Sequence, residues 1–182
     1  MIKNLKVGVF DSGVGGLSVA NAIKKSLPGT EVVFKSDFEH VPYGIRPIVE
    51  IYNFSKPILI SLIDDGCQVI VIACNTLTTN CIKQLRAELG VPLVGMEPMV
   101  KPAALASKSG VICVCATPGT LASGRYAWLK SEYAKNVQVI EPDCSDWTNI
   151  IETNKLDYQK ITDTIEEVCR AGADQIVLGC TH

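Results

Sequence analysis

Histidine is scarce in this chain, with two in 182 residues, and none of its eight cysteines forms a Cys-x-x-Cys pair. These shortages exclude a zinc-finger pattern, which needs closely spaced pairs of such ligands. Long apolar runs are missing too: stretches such as Val69–Cys74 fall far below the ~18 residues needed to span a bilayer. No block of one charge sign appears, and 17 basic against 19 acidic side chains leave a net charge of −2. Nothing therefore draws the chain electrostatically to nucleic acid or to an anionic membrane. Met1 to Phe10 hold two lysines and a short apolar run cut off by Asp11, too short for a secretory signal. A cytoplasmic location with reduced cysteines is the expectation that follows.

What is present is an ordinary globular composition, 47% hydrophobic and 20% charged, in a chain long enough for one sizeable domain or two small halves. Short β-rich runs alternate with longer helical patterns. Candidate strands are Lys6–Phe10, Glu31–Lys35, Gln68–Ala73, Pro92–Gly95, Gly110–Ala116, Val137–Glu141 and Gln175–Leu178. Several are continuous Val/Ile/Leu runs, as in parallel strands covered on both faces. Helical patterns occupy Leu17–Leu27, Pro47–Asp65, Thr78–Leu89, Val100–Ala106, Leu121–Lys135 and Tyr158–Ala171, and the alternation reads as a doubly wound α/β protein. Cys113 and Cys115 alternate along one apolar strand and read as small core residues.

The chain also resembles itself. Displaced by 106 residues, Gly66–Cys74 falls on Gly172–Cys180, the strand containing Val33 falls on that containing Val139, and Asp11-Ser12-Gly13 falls on Thr117-Pro118-Gly119. Two similar halves are expected, residues 1–97 and 98–182, each placing a cysteine where its third strand ends.

In open parallel sheets, ligands sit beyond the carboxyl ends of the strands. Five segments here end strands with small polar residues: Asp11–Gly16, Pro42-Tyr43-Gly44, Cys74-Asn75-Thr76, Thr117–Thr120 and Cys180-Thr181-His182. The glycines of the first fail the dinucleotide fingerprint on spacing, since Gly13, Gly15 and Gly16 are followed by Ser18 and by no Gly-Lys-Ser/Thr. They read as a tight strand-to-helix turn or a close backbone approach to an anion.

The paired cysteines carry a sharper reading. Inverting a carbon centre by proton transfer needs a base on one face and an acid on the other, which two thiols on opposite walls of a cleft can supply. Cys74 opens directly into a helix, whose N-terminal dipole is expected to lower its pKa. Asp11 reads as a helix cap or as a group tuning a thiol, and His182 as a solvated terminus or as a partner of Cys180.

Taken in order, Phe10–Leu17, Asp37 with Val41–Gly44, Ala73–Thr76, Ala116–Thr120 with Ser123 and Tyr126, and Gly179–His182 resemble the glutamate racemases, cofactor-independent amino-acid racemases. The resemblance implies an Asp/Glu racemase-like fold of two pseudo-symmetric halves and interconversion of L- and D-glutamate for peptidoglycan precursor synthesis, with no cofactor and no metal. It assigns proton transfer to Cys74 and Cys180, with Asp11 assisting the first and His182 the second. Glu152 corresponds to a family glutamate eight residues after a cysteine, here Cys144, across a segment that departs from the family's proline-containing apolar run. Ser12, Pro42, Tyr43, Gly44, Asn75, Thr76, Thr117, Thr120 and Thr181 match substrate-binding positions. Aspartate as substrate, or a ligand-binding form without catalysis, are the alternative readings. The resemblance covers about the first two thirds of a family member. From this ending, exposed apolar surface on the last strand, fraying of Cys180 and His182, weak activity and poor stability are expected, and a second copy of the chain is the candidate partner.

Overall fold

The computed structural model describes residues 5–155 and 157–182. The first four residues of the stretch weighed above as a signal lie outside the described residues. Strands β1 (Lys6–Asp11), β2 (Glu31–Ser36), β3 (Val69–Ile72) and β4 (Leu93–Gly95) form one parallel sheet in the order β2-β1-β3-β4. Strands β5 (Val111–Cys115), β6 (Gln138–Ile140) and β7 (Gln175–Leu178) form a second parallel sheet in the order β6-β5-β7. The first three strands of each half thus share one topology, and β3 and β7 are related end for end by the 106-residue displacement.

Helices α1 (Gly16–Ser26), α2 (Ile48–Asp64), α3 (Asn75–Glu88) and α4 (Val100–Ala106) follow the sequence pattern closely. Alternation along β1 sends Val7 and Val9 toward Ala20 of α1 and Phe10 toward Ile51, Leu59 and Leu62 of α2, so both faces of the sheet are covered. In the second half Ile112 and Val114 pack with Val100, Tyr126 and Leu129, while Cys113 and Cys115 face Cys144 and Val168. Both strand cysteines are buried. On the last strand Val177 is buried but Leu178 is 72% exposed.

The repeat extends to backbone detail. α2 ends in Gly66 (φ +86°), with Gly66 N–H donating to Ile63 O and Cys67 N–H to Leu62 O. α8 (Tyr158–Arg170) ends in Gly172 (φ +99°), with Gly172 N–H donating to Cys169 O and Ala173 N–H to Val168 O. Both are Schellman caps, in which a left-handed residue favours glycine and redirects the chain into the strand that carries the cysteine.

Two local expectations are corrected. The pattern read as one helix over Leu121–Lys135 is two: α5 (Pro118–Leu121), capped by Thr117, and α6 (Gly124–Tyr133), where the Ser123 side chain accepts from Tyr126 N–H and restarts the helix. A short helix, α7 (Trp147–Glu152), occupies a stretch where no element was expected.

Candidate active site

The halves meet at the carboxyl ends of their strands. Asp11, the last residue of β1, is fully buried, and its carboxylate accepts from Gly16 N–H at 2.9 Å and Gly13 N–H at 3.4 Å. It therefore caps α1, and it also accepts the Thr181 hydroxyl of the other half at 3.1–3.2 Å. Burial pushes the Asp11 carboxyl up, opposed by His182 and by the Gly16 N–H.

Cys74 is the N-cap residue of α3 and is 5% exposed, with its sulfur 3.5 Å from the Ser12 hydroxyl. The expected lowering of its pKa by the helix is overturned. Burial, then the charge of Asp11, push the thiol up to about 12, against the Ser12 hydroxyl and the Leu77 N–H. Removing a thiolate from water outweighs a partial charge at the helix end. Ser12, which touches Cys74, follows Asp11, and Asp11 accepts from Thr181, the residue after Cys180, so both cysteines are brought to the same junction.

Cys180 lies just beyond β7, with Thr148 Oγ1 at 3.8 Å and His182 Nδ1 at 3.7 Å from its sulfur. His182 is not frayed: its side chain is 2% exposed and its Nε2 bonds Glu152, whose Oε1 also accepts Val14 N–H of the other half at 3.0 Å. Burial works against the imidazolium, yet Cys180, Glu152 and Asp11 together hold its pKa up at about 9. Glu152 thus reaches the site despite its altered flanking sequence.

A second junction is built from hydroxyls. Thr76 Oγ1 lies 2.8 Å from Thr117 Oγ1 and 3.3 Å from Thr120 Oγ1, and Asn80 donates to Gly119 O at 3.0 Å. Asn75, in the first turn of α3, is buried. Tyr43 is a core residue whose hydroxyl donates to Asp37 at 2.7 Å, so the Pro42–Gly44 loop offers backbone to the junction and not a phenol. Gly44 is held against Thr117: a Cβ there would lie 2.4 Å from the threonine Cβ. The glycine turn after β1 packs likewise, with the Gly15 position 2.5 Å from Thr181 O by the same measure. Its glycines permit contact between the lobes, with Val14 N–H donating to the Glu152 carboxylate.

Thr148 escaped the sequence reading. The signal was available in the repeat, because Pro42-Tyr43-Gly44 displaced by 106 residues falls on Thr148-Asn149-Ile150. Among the described residues, no group of three or more His, Cys, Asp or Glu is arranged to hold a metal, and no helix is long and apolar enough to cross a membrane.

A sequence profile described as Asp/Glu/Hydantoin racemase matches residues 16–182. The chain belongs to this family. It is 39% identical to the glutamate racemase of Herpetosiphon aurantiacus over 185 aligned positions, which cover 100% of this chain and 73% of the relative. It is also 39% identical to that of Deinococcus radiodurans, covering 98% of this chain and 63% of the relative. Among solved structures, Escherichia coli glutamate racemase in complex with L-glutamate and an activator superposes with a TM-score of 0.85 at 29% identity, covering 98% of this chain and 70% of that one. The chain thus spans roughly two thirds of the length of these racemases.

The His182 arrangement makes a pH prediction. A histidine whose folded pKa is about 9 against an unfolded ~6.5 adds stability that is complete below the lower value and lost as pH rises through the higher one. Glu152→Gln removes one of the groups holding the proton and should bring the folded value down. The alkaline fall in melting temperature should then begin at lower pH in the variant, and identical melting profiles from pH 6 to 10 would refute the assignment.

Proposed function

We propose that this chain interconverts L- and D-glutamate by exchanging the α-proton between Cys74 and Cys180, without a cofactor. The observation that carries the reading is that Cys74 and Cys180 come from corresponding strand ends, β3 and β7, of two halves that we take as residues 1–97 and 98–182, and that their neighbours Ser12, Asp11 and Thr181 link these ends. Either sulfur, as thiolate, forms S–H while the Cα–H bond breaks, and the electron pair passes into the α-carboxylate. The other thiol then gives up its proton to the opposite face of the same carbon. Roles exchange with the direction of reaction.

Asp11 serves the Cys74 side, and the Glu152–His182 pair serves the Cys180 side. Ser12, Asn75, Thr76, Thr117, Thr120, Thr181 and the backbone of Pro42–Gly44 hold the two carboxylates and the ammonium group. A thiol pushed up to about 12 is a proton donor at neutral pH. The substrate's ammonium group, arriving beside it, supplies the positive charge that brings such a thiol down into working range. The E. coli relative's complex with L-glutamate supports an α-amino dicarboxylate as ligand. Production of D-glutamate for peptidoglycan precursors, a cytoplasmic location and a homodimer complete the reading.

The test is incubation with each glutamate enantiomer in deuterated water, following α-deuteration by mass and inversion by optical rotation. Inversion coupled to uptake of one deuteron supports the reading. Glutamate binding without α-exchange replaces it with a ligand-binding form, and exchange confined to aspartate corrects the substrate.

A further inference from the structure

We propose that Thr148 is a positioning residue for Cys180, presenting a hydroxyl that holds the sulfur toward the reacting carbon and donates to it when it is a thiolate. The proposal rests on the two-thiol reading and adds a group to the second thiol. Cys74 has the Ser12 hydroxyl at 3.5 Å and, as the N-cap of α3, the first backbone N–H groups of that helix. Cys180 sits beyond the end of β7, and the neighbours placed on its sulfur are the Thr148 hydroxyl at 3.8 Å and His182 Nδ1 at 3.7 Å.

Thr148 and Glu152 stand one helical turn apart on α7 and so share a face. Through that face a single short helix meets both members of the pair, the hydroxyl touching Cys180 and the carboxylate touching His182. Thr148 is 6% exposed and lines a small cavity with Cys115, Cys144, Trp147, Cys180 and His182. A buried hydroxyl needs a partner, and the Cys180 sulfur is the one within reach among the described residues.

A hydroxyl can both donate and accept. It donates to the thiolate that takes the α-proton and accepts from the thiol that returns one, so it keeps hold of the sulfur through the whole cycle. An imidazolium at His182 can only donate. The charged and titratable groups around this contact are His182, Glu152 and Asp11 on one side, the buried thiols of Cys115 and Cys144 lining the same cavity, and Cys74 across the junction. Displacement by 106 residues puts Pro42 opposite Thr148 and Pro118 opposite Ser12, so each sulfur takes its hydroxyl from a different element of its half.

The experiment compares Thr148→Val, which keeps the branched shape, with Thr148→Ser, which keeps the hydroxyl. Loss of one hydrogen bond to a charged sulfur should lower kcat about tenfold with KM little changed. Because the two enantiomers are equal in energy, kcat/KM must fall by the same factor in both directions. Alkylation of Cys180 by iodoacetamide at neutral pH, read on its own peptide by mass spectrometry, should slow by a similar factor. Thr148→Ser should restore both readouts. Thr148→Ala serves in place of the valine variant if that variant melts early.

Wild-type alkylation and turnover in Thr148→Val overturn the proposal, as does a serine variant that restores neither. The alkylation pattern found in a chain that turns over neither enantiomer supports the hydroxyl–sulfur contact while removing the racemase reading.

Discussion

Alanine at Cys74 or at Cys180 should lower the interconversion of glutamate enantiomers by about 10²–10⁴-fold, the range over which a positioned acid or base contributes to proton transfer. The two variants should fail differently. With one thiol gone, the remaining thiolate still reaches one face of the α-carbon. It can remove a proton there and return one from solvent to the same face. Each variant should therefore exchange the α-hydrogen of one enantiomer with retention, and the enantiomer should switch between the two variants. This outcome separates two-sided proton transfer from simple structural damage, which would silence both exchanges together. Stability should change little at Cys180, which is only partly buried, and more at Cys74, which is 5% exposed beneath the junction. Full inversion in either variant would end the two-thiol mechanism.

Gly15→Ala is expected to have a large effect although it alters none of the reacting side chains themselves. A Cβ at Gly15 would lie 2.5 Å from Thr181 O, 2.6 Å from Thr181 C and 2.7 Å from Thr181 Cβ. The first two are backbone atoms, so no side-chain rotation relieves the clash. The segment carrying Cys180, Thr181 and His182 must move away from the first half. That movement strains the Thr181–Asp11 and His182–Glu152 contacts. Overpacking of this kind costs about 1–3 kcal/mol of stability, and a shift of about 1 Å between reacting groups costs on the order of 10² in rate. Gly124→Ala is the matched control, since nothing lies within 4 Å of a Cβ there. Melting temperature and turnover measured on both variants decide the matter, and a Gly15→Ala protein with unchanged turnover would show that the close approach is dispensable.

Much of the architecture is legible in the sequence. The seven strands among the described residues appear where Val/Ile-rich runs place them, within a residue or two at the ends. A strand covered on both faces must be apolar on both faces, and that leaves a continuous run to read. The internal displacement carried more, because a shared topology and twin Schellman caps follow from repeating the same local chemistry at Gly66 and Gly172. α7 was illegible for the opposite reason. Its six residues, Trp147–Glu152, show no sustained apolar period, and what its side chains touch is distant in sequence: Cys180 for Thr148, His182 and Val14 N–H for Glu152.

The site divides in the same way. Strand-end positions such as Asp11, Cys74, Thr117 and Cys180 were readable because residues that close strands of a parallel sheet are delivered to one edge by the topology. Their partners were not. The sharing of Asp11 between a helix cap and Thr181, the meeting of Thr76 with Thr117 and Thr120, and the commitment of the Tyr43 hydroxyl to Asp37 depend on how the halves dock.

The amino-acid order alone determined two matching lobes, the strand ends they present and the residue types gathered there, because backbone preference and apolar patterning act over short stretches of chain. The folded molecule alone decided how tightly Cys74 and His182 hold their protons. It raises Cys74 to about 12 where the helix end by itself would have lowered it, and it holds the proton on His182 up to about 9. Desolvation and Coulomb forces act through space, and their sign at a given atom is settled only when the distant parts of the chain are packed around it.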